Sequence, residues 1–218
     1  MKTRIIFLED LNRLRHDILT MATRVEEDLG KALIALRNND KDLAKEVKAS
    51  DAVVNAMQTQ IEDAASILIA TQQPVARDLR ELVSIFKITS SLERMGDYTV
   101  HVAKSAVKLS GEPSFRATEH LETMAETGQE MIRSSISAYL NQDADAARLV
   151  AALDNKIDLA HELLTEEVLK LMKKNPELIK KAVRLLNTSG FLERLGDHCT
   201  NICEAVIYIS EGSHEELQ

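Results

Sequence analysis

The chain contains one five-residue phrase twice, as Glu93-Arg94-Met95-Gly96-Asp97 and as Glu193-Arg194-Leu195-Gly196-Asp197. Each copy lies late in a long helical pattern, so its Glu and Asp fall at positions i and i+4, one turn apart on the same helix face. Like charges at this spacing repel each other by a few tenths of a kcal/mol. Two copies in equivalent places favour a shared ligand site; the alternative is a pair of solvated charges beside a glycine packing contact.

The repeat extends over the whole chain. Met21-Ala22 corresponds to Met124-Ala125 in the second half, and Asp51 corresponds to Asp154. We infer from this repeat that the chain consists of two homologous halves of ordinary domain size, with a boundary at Ser110-Gly111-Glu112-Pro113. We therefore divide the chain into a first bundle, residues 1–112, and a second bundle, residues 113–218.

The composition indicates an all-α fold. Hydrophobic residues make up 44% of the 218 residues, but aromatic residues only 3%, and there are 7 Gly and 3 Pro. A β-sandwich or barrel would need more turn residues and strand-forming aromatics. The apolar residues of the first segment recur at alternating steps of three and four, which is the pattern of an amphipathic helix: Leu11, Leu14, Ile18, Met21, Val25, Leu29, Ala32 and Leu36.

Six long helices are predicted in this way, three in each half. Asn38-Asn39-Asp40 ends the first and can cap the second, and Pro74 can open the third from its first turn. The second helix of the second half is read as one continuous element that carries Leu149, Leu153 and Ile157. Helices of this length with short connections favour two antiparallel three-helix bundles, related by an internal pseudo-two-fold axis.

The charge and the cysteines limit the function classes. The net charge is −8, and an acidic chain without a basic stripe is a poor binder of nucleic acid. Cys199 and Cys203 lie at i and i+4 on one helix, where a disulfide would be strained, so we expect buried, reduced thiols. The sequence has no signal-peptide core and no apolar run of membrane-spanning length. We expect a cytoplasmic protein without a transmembrane segment, which could reach a membrane only by docking on a partner.

The candidate ligands are carboxylates from several helices. Metal bundles of the ferritin type use Glu-x-x-His, and its one occurrence, Glu211 to His214, lies at the end of the helical pattern. The remaining all-oxygen set suits magnesium, calcium, manganese or iron better than thiolate-loving ions. The set comprises Glu93, Asp97, Glu193 and Asp197, with Asp51, Asp154 and Asp158 as possible partners on the second helices. His101 could add a nitrogen ligand in the first half, where the second half has Asn201.

Catalysis has no support in the sequence. It shows no nucleophile–base pair, no Gly-x-Ser-x-Gly and no phosphate-binding glycine-rich loop. We expect a protein that is not an enzyme.

The two Glu-Arg-x-Gly-Asp phrases, together with the segment Gln72-Gln73-Pro74-Val75-Ala76-Arg77-Asp78-Leu79-Arg80, closely resemble the PhoU family of phosphate-uptake regulators. The resemblance implies a cytosolic homodimer of two-bundle subunits that negatively controls the phosphate regulon. Its implied partners are the phosphate ABC transporter, through the ATPase subunit, and the phosphate-sensing histidine kinase. It also implies iron or zinc at the repeated motif, with Glu93, Asp97, Glu193 and Asp197 as ligands.

The halves differ where the resemblance is weaker. Asp78 has no carboxylate counterpart in the second half, where the equivalent stretch is Leu178-Ile179-Lys180-Lys181. Asn55 occupies the position that corresponds to Asp158. The first site could therefore use Asp78 or His101, and the two sites could differ in affinity. A metal-buffering helical protein unconnected to phosphate, and a structural dimeriser whose motif carboxylates only cap and pair, remain as alternatives.

Overall fold

The protein is all-helical in the computed structural model, which describes residues 2–109 and 117–217. No strand occurs in these two ranges. Nor does either range contain a helix long and apolar enough to cross a membrane. The elements are α1 (Lys2–Asn38), α2 (Lys41–Gln72), α3 (Ala76–Leu109), α4 (Ala117–Asn141), α5 (Ala144–Ala151), α6 (Asp154–Lys174), a 3-10 turn (Pro176–Leu178) and α7 (Ile179–Glu211).

The helices form the two predicted three-helix bundles. In the first half α1, α2 and α3 pack against one another, and in the second half α4, α7 and the α5–α6 pair do the same. Between the halves α3 packs on α7 and α1 on α4. Equivalent helices therefore meet each other, as an approximate two-fold axis requires. One continuous buried apolar cluster runs through both bundles, which confirms the predicted fold class.

The boundary proposed between the halves stays a prediction. Ser110-Gly111-Glu112-Pro113 lies outside the described residues, so the division into 1–112 and 113–218 is not tested by the structure.

Tight turns make consecutive helices antiparallel. Asn39 and Gln142 occupy equivalent places and both take the left-handed backbone conformation, with φ of 54° and 52°. The carboxylate of Asp40 then accepts hydrogen bonds from two backbone amides of α2, each at 3.0 Å. Asp143 caps α5 in the same way through one amide, at 2.9 Å. Aspartate at these positions satisfies amides that have no partner inside the helix, so the predicted cap at Asp40 is confirmed.

The second helix of the second half is not continuous, contrary to the prediction. α5 ends at Ala151 and α6 begins at Asp154. Leu149, which the apolar pattern placed inside, is 73% exposed. The apolar stripe runs through the break without interruption, so the sequence carries no local signal for it. The consequence is that Asp154 lies in the first turn of a helix, whereas Asp51 lies well inside α2.

The third helix begins later than predicted. Pro74 and Val75 lie between helices, and α3 starts at Ala76, which has a φ of 50°. Gln73 also takes a left-handed conformation and closes α2 by donating its amide to Ile69 O at 3.3 Å. Pro74 therefore lies inside the turn, between the left-handed residues Gln73 and Ala76, and not in the first turn of α3.

The seam between the halves is the antiparallel pair α3 and α7. Lys87 Nζ lies 2.8 Å from Glu204 Oε2, Met95 Sδ lies 3.6 Å from Cys199 Sγ, and farther along α3 the carbonyl of Lys108 accepts from Arg184 Nη1 at 2.8 Å. Rising numbers on α3 therefore meet falling numbers on α7. Because Met95 and Cys199 belong to the motif regions, both acidic phrases lie near the middle of this seam.

Candidate functional site

Four carboxylates of the second half share one electrostatic neighbourhood, which we name the second acidic cluster: Glu193 and Asp197 on α7, and Asp154 and Asp158 on α6. Burial raises the pKa of Asp154 to about 7, and the charges of Asp158, Asp197 and Glu193 add to this effect. Burial also raises the pKa of Asp197, and the charges of Glu193 and Asp158 raise it further. The sequence offered Asp154 and Asp158 as possible partners of Glu193 and Asp197, and in the structure the charges of the other three residues act on Asp154. That they bind one ion stays a prediction.

Asp154 is the innermost member. Its Oδ2 accepts a hydrogen bond from Thr200 Oγ1 at 3.4 Å, whereas its Oδ1 is buried and has no hydrogen-bond partner among the described residues. A buried, unsatisfied carboxylate oxygen is costly. A bound cation would remove this cost and offset the repulsion from the neighbouring carboxylates. A proton would do the same, in keeping with the raised pKa of Asp154.

Gly196 makes room for that carboxylate. A Cβ atom at this position would overlap Oδ1 of Asp154 and would lie 3.1 Å from Cδ1 of Ile157. A Cβ atom in the second copy of the motif would therefore force the side chains of Asp154 and Ile157 on α6 to shift. The glycine leaves room for the carboxylate of Asp154, and whether the phrase binds a ligand stays a prediction.

The first acidic cluster consists of Glu93 and Asp97 on α3 and Asp51 on α2. Burial raises the pKa of Glu93, and the charges of Asp97 and Asp51 raise it further. Burial and then the charge of Asp97 raise the pKa of Asp51. Nε of Arg94 lies 3.6 Å from Oε2 of Glu93, and its Nη1 lies 3.5 Å from Oδ2 of Asp97. The three predicted carboxylates are again neighbours, but an exposed guanidinium partly neutralises them.

Gly96 and Gly196 share an equivalent apolar neighbour, Val54 and Ile157, but only Gly196 also lies against a carboxylate. A Cβ atom at Gly96 would meet Cγ1 of Val54 at 3.4 Å, which is an ordinary van der Waals contact. The first copy of the motif therefore shows glycine next to an apolar side chain, where the second copy shows glycine beneath a carboxylate. For the first copy, helix packing is a sufficient account of the glycine.

Glu62 is a member of the first cluster that the sequence analysis missed. Its charge contributes to the raised pKa of Glu93, and its carboxylate accepts hydrogen bonds from Thr89 Oγ1 and Gln58 Nε2, each at 2.9 Å. A usable signal was present in the sequence, since Glu62 lies about three helical turns after Asp51 on the same helix.

Asp78 does not join the first cluster, contrary to the suggestion made from the sequence. It pairs with Arg4, and the longer of their two hydrogen bonds measures 3.3 Å. Along the common helix α3, Asp78 is about four turns, roughly 22 Å, from Glu93. The rise of the helix therefore separates the two carboxylates.

His101 lies beside the first cluster but is used in packing. Its ring stacks on Phe191 across the seam, with centroids 4.5 Å apart and an interplanar angle of 11°. Burial and the charge of Lys104 lower its pKa, while Asp97 and Asp51 act in the opposite direction. The imidazole is thus near two carboxylates of the cluster while one face is covered by an aromatic ring of the other half.

The clusters do not form closed ligand sets in this structure. Across residues 2–109 and 117–217, no three His, Cys, Asp or Glu side chains are arranged to hold one metal ion. The fit to a metal rests on the chemistry around Asp154: three other carboxylates act on it through their charge, and its buried Oδ1 has no hydrogen-bond partner among the described residues.

Comparison with known proteins agrees with the duplicated architecture. The sequence model of the PhoU domain matches the chain twice, over residues 18–106 and 121–206. The chain belongs to the PhoU family. The family match contains both acidic clusters, since every member of the two clusters falls within those ranges. It also covers the greater part of each bundle.

Individual PhoU relatives match along nearly their whole length. A phosphate-specific transport system accessory protein PhoU homolog of Clostridium acetobutylicum is 33% identical over 216 residues, which is 99% of each chain. The crystal structure of PhoU from Pseudomonas aeruginosa superposes with a TM-score of 0.90 at 33% identity, over 95% of this chain and 100% of that one. The phosphate transport system regulatory protein PhoU from Streptococcus pneumoniae gives 0.91 at 32% identity, over 97% and 100%.

Proposed function

We propose that this protein is a regulator of phosphate uptake and phosphate homeostasis, and not an enzyme. The observation that carries the proposal is the duplicated acidic phrase set in a two-bundle PhoU fold. Relatives of the same length and fold are named as accessory or regulatory proteins of phosphate transport. In this role the protein negatively controls the phosphate regulon by linking a phosphate ABC transporter, through the ATPase subunit, to a sensor histidine kinase.

In this role the protein acts in the cytoplasm as a homodimer. It reaches the membrane by docking on the transporter and the kinase. Light scattering of the purified protein tests the dimer: a mass twice the 24.3 kDa of one chain is expected. A mass of one chain at working concentrations would contradict it.

Iron or zinc is the proposed cofactor, with manganese, magnesium or calcium as the alternatives for an oxygen-rich site. Glu193, Asp197, Asp154 and Asp158 would hold the ion in the second half, and Glu93, Asp97 and Asp51 in the first. A bound cation supplies positive charge where the carboxylates repel one another, and so draws together side chains that stand apart in its absence. The protein's contribution is the buried carboxylate of Asp154 above Gly196, which is in place before the ion arrives.

Deletion of the gene tests the regulatory role. The deletion strain is expected to express phosphate-regulon genes in phosphate-rich medium, and the intact gene supplied in trans should restore repression. Normal repression in the deletion strain would contradict the proposal.

A second candidate function is metal buffering without a link to phosphate. The observation that favours it is the buried Oδ1 of Asp154, which has no hydrogen-bond partner among the residues described. A variant with Glu93, Asp97, Glu193 and Asp197 all changed to Ala separates the two. Metal analysis by mass spectrometry should show loss of metal from the folded variant in both cases. Only the regulatory role predicts that complementation by this variant leaves the phosphate regulon derepressed.

A further inference from the structure

Basic residues gather at the end of the molecule where α3 and α6 end and α7 begins. The carbonyl of Lys108, in the last turn of α3, accepts a hydrogen bond from Arg184 Nη1 at 2.8 Å. The 3-10 turn that joins α6 to α7 packs against both of these helices. Three helix ends therefore meet here, and we call the surface they form the basic end; its cations are Lys104, Lys108, Lys170, Lys173, Lys174, Lys180, Lys181 and Arg184.

The basic end differs in charge from its counterpart in the first half. Residues 170–184 contain six basic residues and one acidic residue, a net charge of +5. The equivalent residues 68–82, aligned on Pro176 and Pro74, contain two basic and two acidic residues. Lys104 and Lys108 bring the basic end to +7 in a chain of −8, which leaves −15 for all other residues. The molecule is therefore strongly polarised, and a negatively charged surface would attract this end and repel the rest.

Helix capping and ion pairing do not account for these cations. The dipole of α6 favours Lys173 and Lys174, which lie in its last turn. Lys180 and Lys181 lie in the first turn of α7, where the dipole disfavours cations and where no acidic residue stands. Four lysines form no salt bridge with any residue that the structure describes: Lys108, Lys173, Lys174 and Lys180. The charge of Lys180 in particular is available to a ligand outside the chain.

Exposed aliphatic side chains lie among these charges. Leu169 on α6 and Ile179 and Val183 on α7 are between 43% and 48% exposed. Ile179 and Val183 are four residues apart, so they share one face of α7. Lysine side chains can lie along such apolar surface while their ammonium groups reach outward. Aliphatic residues surrounded by lysines are typical of surfaces that bind at the interface of an anionic bilayer.

We propose that the basic end binds the surface of an anionic lipid bilayer, with its lysines on the headgroups and its exposed aliphatic side chains at the interface. The composition favours lipid over a macromolecule. Protein interfaces are depleted in lysine and enriched in arginine and aromatic residues, and single-stranded nucleic acids stack on aromatic side chains. The basic end has seven lysines and one arginine, and residues 104–109 and 170–184 contain no aromatic residue. Lysine is a compact charge on a flexible stem, which suits a fluid array of lipid phosphates.

This contact goes beyond the regulatory role proposed above, in which the protein reaches the membrane through protein partners. A direct lipid contact orients the molecule, because the acidic remainder of the chain is repelled by the surface that holds the basic end.

Sedimentation of the full-length protein with large vesicles tests the proposal. Vesicles of phosphatidylglycerol mixed with phosphatidylcholine should bind the protein, whereas vesicles of phosphatidylcholine alone should not. Binding should weaken as salt is added, since the lysines are exposed. A variant that loses four exposed lysines should bind the anionic vesicles at least about a hundredfold more weakly, because each basic residue near such a surface adds about fivefold: Lys108→Gln, Lys173→Gln, Lys174→Gln and Lys180→Gln.

A second variant tests the apolar part of the contact. Ile179→Gln with Val183→Gln keeps every charge and should weaken binding at least about threefold, because these side chains are buried at the bilayer interface.

The matched control removes the same amount of charge away from the basic end: Arg13→Gln, Arg77→Gln, Lys87→Gln and Lys156→Gln. All four residues are exposed, and Arg77 is roughly 46 Å from Lys108 along α3. This variant should bind anionic vesicles within about twofold of the parent, because its lost charges are far from the lipid. Circular dichroism verifies the helical fold of every variant.

Four results would each overturn the proposal: no binding to anionic vesicles, equal binding to neutral vesicles, equal loss in the lysine variant and the control, or unchanged binding after Ile179→Gln with Val183→Gln. Absence of lipid binding would favour an acidic protein surface as the partner of the basic end. Because the test contains only protein and lipid, its failure would leave the regulatory role standing.

Discussion

The two copies of the acidic phrase differ in what lies over their glycines. In the second copy Gly196 lies against the carboxylate of Asp154, whose buried Oδ1 has no hydrogen-bond partner in the part of the chain that the structure describes. In the first copy Gly96 meets the methyl group of Val54 at an ordinary distance. Nearly identical pentapeptides therefore have unequal surroundings, because the neighbouring helix and not the motif supplies the contact.

The cause is the interruption between α5 and α6. It places Asp154 at the start of a helix, close to α7, whereas the equivalent Asp51 lies in the unbroken α2. A helix start favours a carboxylate through the helix dipole. Burial and three neighbouring carboxylates outweigh that effect at Asp154, since its pKa rises to about 7. The two copies of the duplicated sequence therefore differ in the burial of the aspartate from the second helix and in the repulsion that it experiences.

The largest difference between the copies should appear in the pH dependence of stability. The pKa of Asp154 rises from 3.8 to about 7 on folding, so the folded state holds a proton that the unfolded state has lost. Stability should therefore fall as pH rises from about 4 to 7. Asp154→Asn removes this penalty and should raise the free energy of unfolding at pH 8 by about 2 kcal/mol, less than the full shift implies because solvent screens part of it.

Urea unfolding of metal-free protein at pH 5 and pH 8 measures this effect. Asp51→Asn is the matched control in the first copy and should give a smaller gain, because the positive charge of Lys104 opposes the effect of Asp97 on Asp51. Equal gains from the two substitutions would mean that the copies are electrostatically alike.

Alanine at the two motif glycines should give effects of opposite sign. Gly196→Ala forces Asp154 and Ile157 to move and should cost about 1–3 kcal/mol, as overpacking does. Gly96→Ala adds only an ordinary contact and should stabilise the protein by up to about 1 kcal/mol, because alanine is the better helix former. Urea unfolding at pH 7 compares the two variants. A gain in stability for Gly196→Ala would show that the space beneath Asp154 is not needed.

We expect a smaller difference between the two acidic clusters in their affinity for a metal ion. Titration of zinc or ferrous iron into chelator-treated protein should show a tight site in the second half and a weaker one in the first. Asp154→Asn should weaken the tight site at least about tenfold, while Asp51→Asn should leave it unchanged. One class of sites that responds to neither substitution would place the metal, if any binds, outside both clusters.

The smallest effect is expected at His101. His101→Asn introduces the residue of the equivalent position and removes the stack on Phe191, which should cost about 0.5–1 kcal/mol of stability. Metal content should not change, because the ring serves packing. Thermal unfolding and metal analysis of the variant check both parts. Loss of metal with unchanged stability would return His101 to the ligand set.

Much of the fold followed from local pattern. The three–four spacing of apolar residues predicted the helices, and Asp40 was correctly expected to cap α2. The break before Asp154 was missed because Leu149, Leu153 and Ile157 continue the stripe across it. Asp78 was offered as a ligand although the rise of α3 alone separates it from Glu93. Glu62 was overlooked because its relation to Glu93 depends on how α2 packs on α3.

By itself, the sequence determined an all-helical chain with a duplicated plan, and a Glu and an Asp one turn apart on each copy of the third helix. Helical periodicity is set by hydrogen bonds between residues four apart, so it can be read from neighbours in the chain. Only the tertiary structure decided which carboxylate is buried over a glycine, which histidine is covered by Phe191, and that Arg148 binds Glu211, the last residue of α7, and Glu215 beyond it. Burial and electrostatic energy depend on atoms brought together from distant parts of the chain, and helix packing sets those distances.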